Sequence, residues 1–351
     1  MNCHAEDTDT QAGNKIDWLL WSSGLLIGAG YIVHGLLSET VADVHWLHEF
    51  SHSAFELVNT VWWGVAIGIL MIAVLGRIPR EFVVSALGTR HGTQGIVRAT
   101  FAGVLLDLCS HGVLMVGAKL YERGASTGQV VAFLVSSPWN SLSLTLILIA
   151  LIGLPWTLGF IVLSMAIAIV TGILFDRLIR SGTLPDNPNV SDLPDDFQFW
   201  REARVQLAGA DFSAGAFAGM LADGIRESRM VVRWILLGLV LASLVRAFVP
   251  AEMFASYFGP TVLGLGVTVI VATILEVCSE GSTPLAADIL NRAGAPGNSF
   301  AFLMGGVATD YTEIMVLKDT TSSLKIALFL PLLTLPQVIA LGWLINVVAA
   351  G

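Results

Sequence analysis

Two cysteines in matching sequence surroundings are the residues of this chain best suited to bind a solute. Cys109 lies in the segment Leu-Asp-Leu-Cys-Ser-His-Gly at 106–112, and Cys278 lies in Leu-Glu-Val-Cys-Ser-Glu-Gly at 275–281. Thiolates are soft ligands, which suit trivalent arsenic, Cu(I) or Zn(II). A single cysteine is readily explained as a small buried residue. Its recurrence at two equivalent positions is what brings a shared binding site into consideration.

The residues beside these cysteines supply further polar groups. We expect the solute to be bound by Cys109, Ser110, His111, Cys278, Ser279 and Glu280. Glycine and proline at Gly112 and in the stretch 281–284 predict that each helix is broken there. Broken helices that occur in both halves of a chain are typical of the substrate sites of secondary transporters.

Carboxylates within apolar segments form a second group of candidates. Asp107 and Glu276 occupy equivalent positions, and with Asp310 they are predicted to carry the coupling protons. An ionisable group inside a membrane span is costly and is therefore a functional candidate by default. For Asp288 and Glu313, which lie close to polar loops, an ion pair with an arginine or a position near the interface is the alternative.

A histidine-rich segment precedes the second apolar stretch. On a helix, His45, His48, Glu49 and His52 share one face, and imidazole with carboxylate is a zinc ligand set. We therefore predict a metal site there, with zinc as the candidate ion. The segment from His48 to His52 also matches the His-Glu-x-x-His pattern of zinc hydrolases, which leaves an intramembrane metalloprotease open. Histidines that merely face lipid headgroups are the third interpretation.

The similarity of the two cysteine segments extends along the chain. Fixed offsets pair Ala118 with Ala287, Arg123 with Arg292, residues 132–134 with 301–303, and residues 78–82 with 249–253. A duplicated unit of about half the chain is a common construction of transporters. We therefore predict two repeats.

Composition places these repeats in a membrane. The chain has 351 residues, of which 55% are hydrophobic and only 13% are charged, whereas soluble domains carry about 25% charged residues. Stretches long enough to cross a bilayer give about nine predicted spans: 18–37, 57–76, 96–120, two within 124–175, 231–249, 253–277, 299–317 and 326–349. The predicted fold is all-α and polytopic, with two repeats of about four spans each, discontinuous helices, and one extra N-terminal span.

The predicted organisation follows from where the polar residues are concentrated. It comprises a disordered N-terminus at 1–16, a first span with the His-rich interfacial segment at 17–53, repeat 1 at 54–176, a polar linker at 177–229, and repeat 2 at 230–351. The net charge of −9 arises from ordinary solvated acidic stretches, and it does not indicate a nucleic-acid partner.

Residues from 57 to 350 resemble the predicted-permease family (DUF318 group) that includes organoarsenical efflux permeases and related copper or zinc efflux proteins. The resemblance rests on the segments 106–112, 123–126, 132–138, 278–284 and 301–303. Members of the family resemble Cys-Ser-Cys-Gly or Cys-x-Cys-Cys at the first break, whereas this chain has His111 in place of the second cysteine. This departure shifts the expected solute from arsenicals toward zinc or copper.

Together these features predict an inner-membrane permease that exports a soft metal ion or a trivalent arsenical by alternating access, and not an enzyme. No cofactor is required, apart from the zinc considered for the His-rich segment. The expected partners are the solute and the lipid bilayer, and a homodimer is left open. The alternatives are the zinc metalloprotease that uses His48, Glu49 and His52, and a structural membrane subunit that transports nothing.

Overall fold

A computed structural model describes residues 17–41, 43–75, 92–105, 110–122, 124–137, 142–189, 214–275 and 279–350. Within these ranges every regular element is an α-helix, which confirms the predicted all-α class. The helices are α1 (Trp18–Val41), α2 (His45–Leu75), α3 (Thr93–Leu105), α4 (Ser110–Glu122), α5 (Thr127–Ser136), α6 (Leu142–Ile152), α7 (Leu154–Arg180), α8 (Ala214–Phe248), α9 (Ala251–Phe258), α10 (Val262–Leu275), α11 (Ser279–Asn291), α12 (Pro296–Thr309), α13 (Tyr311–Thr321) and α14 (Leu324–Ala350).

Several of these helices are long and apolar enough to cross a membrane. In the described ranges there are four such segments, namely Trp18–Leu37, Leu154–Arg180, Pro296–Thr321 and Leu324–Ala350. A fifth arises if Val232–Phe248 and Ala251–Phe258, which are bent by 113° at Pro250, are taken together. The chain is thus a polytopic membrane protein, and the described segments account for about half of the nine predicted spans.

The same pattern of helix–helix contacts occurs in both halves of the protein. In the first half, α3, α5 and α7 contact one another, and α4 contacts α5; in the second half, α10, α12 and α14 contact one another, and α11 contacts α12. The two halves also contact each other, since α6 of the first half packs on α11 of the second, and α13 of the second half packs on α4 of the first. Duplication would produce such a pattern, and the repeat itself stays a prediction.

Two short helices, α5 and α12, lie at the centre of the protein and are almost wholly buried. The first turn of each contains a glycine that touches a second glycine on a long helix: Gly128 faces Gly172 of α7, and Gly297 faces Gly342 of α14. Small residues allow such close approach of helix backbones in membranes. A polar side chain of the long helix accepts a hydrogen bond from each first-turn glycine N–H, at 3.1 Å from Asp176 and 2.7 Å from Asn346.

The positions at which helix breaks were predicted lie within helices. Gly112 lies inside α4, and the stretch 281–284 lies inside α11. Pro284 stands in the second turn of α11, where it cannot donate the helical hydrogen bond to the carbonyl four residues earlier and its ring crowds that carbonyl. Neither glycine-containing segment ends a helix. The described part of α3 reaches Leu105 and that of α10 reaches Leu275, and residues 106–109 and 276–278 lie outside the described residues.

Two other boundaries differ from the sequence-based picture. The His-rich segment is the first part of α2, which continues into the second apolar stretch, so it is not a separate interfacial element. α7 continues to Arg180, and α8 begins at Ala214, so helix covers both ends of the predicted polar linker. The predicted division near residue 153 is confirmed, since Gly153 has a φ of 84° and Pro155 follows in the first turn of α7.

Candidate functional site

The residues predicted to bind solute flank two short stretches at helix starts. Cys109, Asp107, Glu276 and Cys278 lie outside the described residues. Their neighbours Ser110 and His111 form the first turn of α4, and Ser279 and Glu280 form the first turn of α11. The N-terminal turn of a helix has free N–H groups and a partial positive charge, which favour anionic ligands such as thiolate or carboxylate nearby.

Each of these two helices contacts a helix of the other half. α4 packs against α13, and α11 packs against α6. One contact is the hydrogen bond that the Asn291 side chain of α11 donates to the carbonyl oxygen of Leu151 in α6, at 3.1 Å. A movement of one half relative to the other would therefore displace both helices that begin at the candidate site.

Asp310 lies at a break that is well described. It separates α12 from α13 inside the membrane segment Pro296–Thr321, with a non-helical ψ of 120°. Its Oδ1 accepts a hydrogen bond from the backbone N–H of Thr312 at 2.7 Å, so Asp310 caps the N-terminus of α13. Helix capping alone accounts for a carboxylate at this position. The role of Asp310 in proton coupling remains a prediction.

Asp288 sits in the interior of the protein as part of an ion-pair network. Its side chain is fully buried, and Arg246 of α8 donates to both of its oxygens at 2.7–3.2 Å. Arg292 stands 3.8 Å away on the other side. Two guanidinium groups therefore lie beside this buried carboxylate. Asp288 therefore belongs to a structural ion pair, as the alternative interpretation of the sequence proposed.

The network continues outward to α2. The remaining arm of Arg246 donates to Glu56 at 2.7 Å, where Glu56 is 56% exposed. Arg292 donates to the carbonyl oxygen of Val249 at 3.1 Å and lies over the ring of Phe254. It thereby satisfies a carbonyl at the bend before Pro250, whose ring nitrogen cannot continue the helix. These contacts tie α2, α8, α9 and α11 together.

Sequence reasoning overlooked Arg246 as the partner of Asp288. The signal was present, because Arg246 is an arginine inside the predicted span 231–249, and an intramembrane charge requires a partner. What the sequence did not show was which of several acidic residues would face it. Glu313 is the other buried acid among the described residues, 2% exposed on α13, the helix that packs on α4.

The histidines of α2 are arranged differently from the predicted ligand set. His48 and His52 face His34 of α1, with ring centroids 6.2 and 5.0 Å from that of His34. Glu49 stands 3.9 Å from His48. His45 is exposed at the start of α2 and takes no part in this group of rings. The predicted set of His45, His48, Glu49 and His52 remains a prediction, to which the structure adds His34.

A cavity of about 350 Å³ opens in the first half of the protein. It lies between the starts of α3 and α5 and the end of α7, and Asp176, Arg180 and Asp186 line it. Asp176 is engaged there, since it accepts from the N–H of Gly128 and the hydroxyl of Ser126. The cavity contains none of the residues predicted to bind solute or metal.

The fold and these sites define a polytopic helical membrane protein with ionisable groups in its interior. Comparison with known families is more specific. The family of predicted permeases named ArsP_1 matches residues 46–347, so the chain belongs to this family. The resemblance drawn from the cysteine segments is confirmed. The chain is a membrane permease and not an enzyme, so the metalloprotease interpretation of His48 and His52 is not retained.

Individual relatives agree with this membership. The chain is 25% identical over 248 residues to Rv2963 of Mycobacterium tuberculosis, which carries a provisional permease name; the match covers 64% of this chain and 59% of that protein, less than two thirds of its length. It is 21% identical to the UPF0718 proteins MJ0584 of Methanocaldococcus jannaschii and YcgR of Bacillus subtilis, covering 75% and 72% of this chain and 85% and 82% of theirs. No solved structure matches the chain significantly.

Proposed function

We propose that this permease exports a soft solute, either a trivalent arsenical or an ion such as Cu(I) or Zn(II), across the inner membrane. Cys109 and Cys278 provide one soft ligand from each half. His111, Ser110, Ser279 and Glu280 complete the binding set. His111 in place of a second cysteine in the first segment favours zinc or copper, because imidazole suits these metals.

The crossed packing of the halves is the observation that carries this proposal. The helix that starts after Cys109 contacts α13 of the second half, and the helix that starts after Cys278 contacts α6 of the first half. Crossed contacts of this kind support a solute site shared by the halves and a mechanism of alternating access, in which one half moves against the other around the site.

Uptake into inverted membrane vesicles tests the proposal, because export from the cell becomes accumulation inside such vesicles. Vesicles with the permease are given trivalent methylarsenical, Cu(I) or Zn(II) in turn, with vesicles that lack the protein as the control. We expect one of these soft solutes to accumulate and a hard ion such as Mg²⁺ not to. Equal accumulation with and without the permease for all three solutes would contradict the proposal.

Substitution of Asp310 separates its capping role from a coupling role. Asn also accepts the hydrogen bond of the Thr312 N–H, so Asp310→Asn is expected to keep the start of α13, whereas Asp310→Ala loses a cap worth about 1 kcal/mol. If Asp310 carries a coupling proton, Asp310→Asn unfolds like the wild type but loses the dependence of transport on a pH gradient.

The same readout applies to Asp107→Asn and Glu276→Gln, the two acidic residues at equivalent positions. At least one of the three carboxylates is expected to be required for coupling, because each lies in or next to an apolar segment where it can exchange a proton. The measurement is vesicle uptake with and without an imposed pH gradient. If all three variants transport as fast as the wild type with the same pH dependence, protons are not coupled through these residues.

A further inference from the structure

Three imidazole rings come together between α1 and α2. The ring centroid of His34 lies 5.0 Å from that of His52 and 6.2 Å from that of His48, and those of His48 and His52 are 6.3 Å apart. The Nδ1 atom of His34 is shielded from solvent and has no hydrogen-bond partner among the described residues. Phe55 packs against His34 at 5.0 Å and closes one side of the group.

One of these three spacings equals that of a pair of histidines that share a metal ion. Zinc–nitrogen bonds of about 2.0–2.1 Å in tetrahedral geometry put the ring centroids of two ligands about 5 Å apart. The pair of His34 and His52 already has this spacing, whereas His48 is about 1 Å too far from both. As placed, no three His, Cys, Asp or Glu side chains of the described residues can share one ion. Rotation of the His48 ring, which is 37% exposed, is the adjustment required.

We propose that His34, His48 and His52 form a site for a divalent transition-metal ion of the Zn²⁺ type that bridges α1 and α2. An ion bound here replaces the missing partner of His34 and fixes all three rings. Glu49, beside His48, serves to orient that ring and not as a ligand, in the way that carboxylates commonly support metal-bound histidines. This assignment rests on the ring geometry and is independent of the solute proposed for the cysteines.

The site lies partly outside the family region. The family match begins at residue 46, so α1 and His34 precede it, while His48 and His52 fall within it. α1 is held to the permease by other contacts as well: Tyr31 stacks on Phe55 at 4.7 Å, and Asp17 pairs with Arg233 at 3.4 Å. A metal ion at the His34 end would add a link between this helix and α2.

A Co²⁺ titration of purified, tag-free protein tests the proposal, because tetrahedral Co²⁺ absorbs visible light more strongly than the hydrated ion. The background is the double variant Cys109→Ser and Cys278→Ser, so that the thiols of the proposed solute site cannot contribute. We expect one saturable absorption change, displaced by Zn²⁺. His34→Ala and His52→Ala should each weaken binding at least about tenfold, equivalent to 1.4 kcal/mol, while His45→Ala should leave it unchanged.

His45 is the matched control, because it is a histidine of the same helix that stands outside the three rings. His52 is exposed, so its variant is expected to fold, and thermal unfolding in metal-free buffer verifies this for each variant. Loss of binding in His45→Ala with retention in His34→Ala would overturn the assignment in favour of the set on α2 alone. Absence of saturable binding in the starting protein would overturn it altogether. Neither result bears on transport, which the vesicle assay measures separately.

Discussion

Replacement of Arg246 by Met is expected to destabilise the protein by about 3–5 kcal/mol, the usual cost of removing one partner of a buried ion pair. Asp288 is fully buried and receives three hydrogen-bond contacts from Arg246. Without that guanidinium, Arg292 at 3.8 Å is the one cation left beside this carboxylate among the described residues. Thermal unfolding of the detergent-solubilised protein, with the yield of folded protein, measures the effect.

Glu56→Gln provides the matched control for this prediction. Glu56 binds the same arginine but is 56% exposed, and exposed ion pairs contribute about 0–1 kcal/mol. The double variant Arg246→Met with Asp288→Asn should be less destabilised than the sum of the single variants, since neither charge is then left alone. If Arg246→Met unfolds at the temperature of Glu56→Gln, the pair does not stabilise the fold as described.

Gly297→Ala is the second substitution expected to have a large effect. A Cβ atom at this position would collide with the carbonyl oxygen of Gly342 and approach Oδ1 of Asn346 to 2.6 Å. Both groups belong to α14, and the backbone of a packed helix cannot give way as a flexible side chain can. Forced overpacking typically costs about 1–3 kcal/mol and sometimes more. We therefore expect α12 and α14 to separate and the yield of folded protein to fall.

Gly266→Ala is the control, because it makes the same change inside α10 at a position where a Cβ would meet nothing within 4 Å. Alanine is favoured over glycine within a helix by about 0.5–1 kcal/mol, so this variant should be as stable as the wild type or slightly more stable. Thermal unfolding of both variants in the same detergent makes the comparison. Equal stability of the two variants would contradict the close approach of α12 and α14.

Much of the architecture was predictable because it depends on hydrophobic stretches of sufficient length. The apolar stretches at 18–37 and 326–349 correspond to α1 and α14, and the division near residue 153 was signalled by its Gly-Leu-Pro sequence. Helix ends within the membrane were less predictable. Gly112 was expected to end a helix, but packing can hold a glycine or an early proline within one, as α11 holds Pro284.

Contacts between distant parts of the chain could not be predicted from spacing alone. His45 and His52 lie on one helical face, which suggested common ligation, but the third ring near His52 is His34, on the preceding helix. Similarly, Asp288 was recognised as an acid that required a partner, whereas the choice of Arg246 depends on how α8 and α11 pack. A periodic pattern shows which side chains share a face, but it does not show what that face meets.

The permease function and its soft-ligand site are tested most directly by uptake into inverted vesicles of the variants Cys109→Ser and Cys278→Ser. The solute is the one that the wild type accumulates, and equal amounts of folded protein are compared. Serine keeps the size of the side chain but is a poor soft ligand. Each single substitution is expected to abolish accumulation, because one thiol of the pair is lost. Accumulation by the double variant at the wild-type rate would contradict the role of the two cysteines.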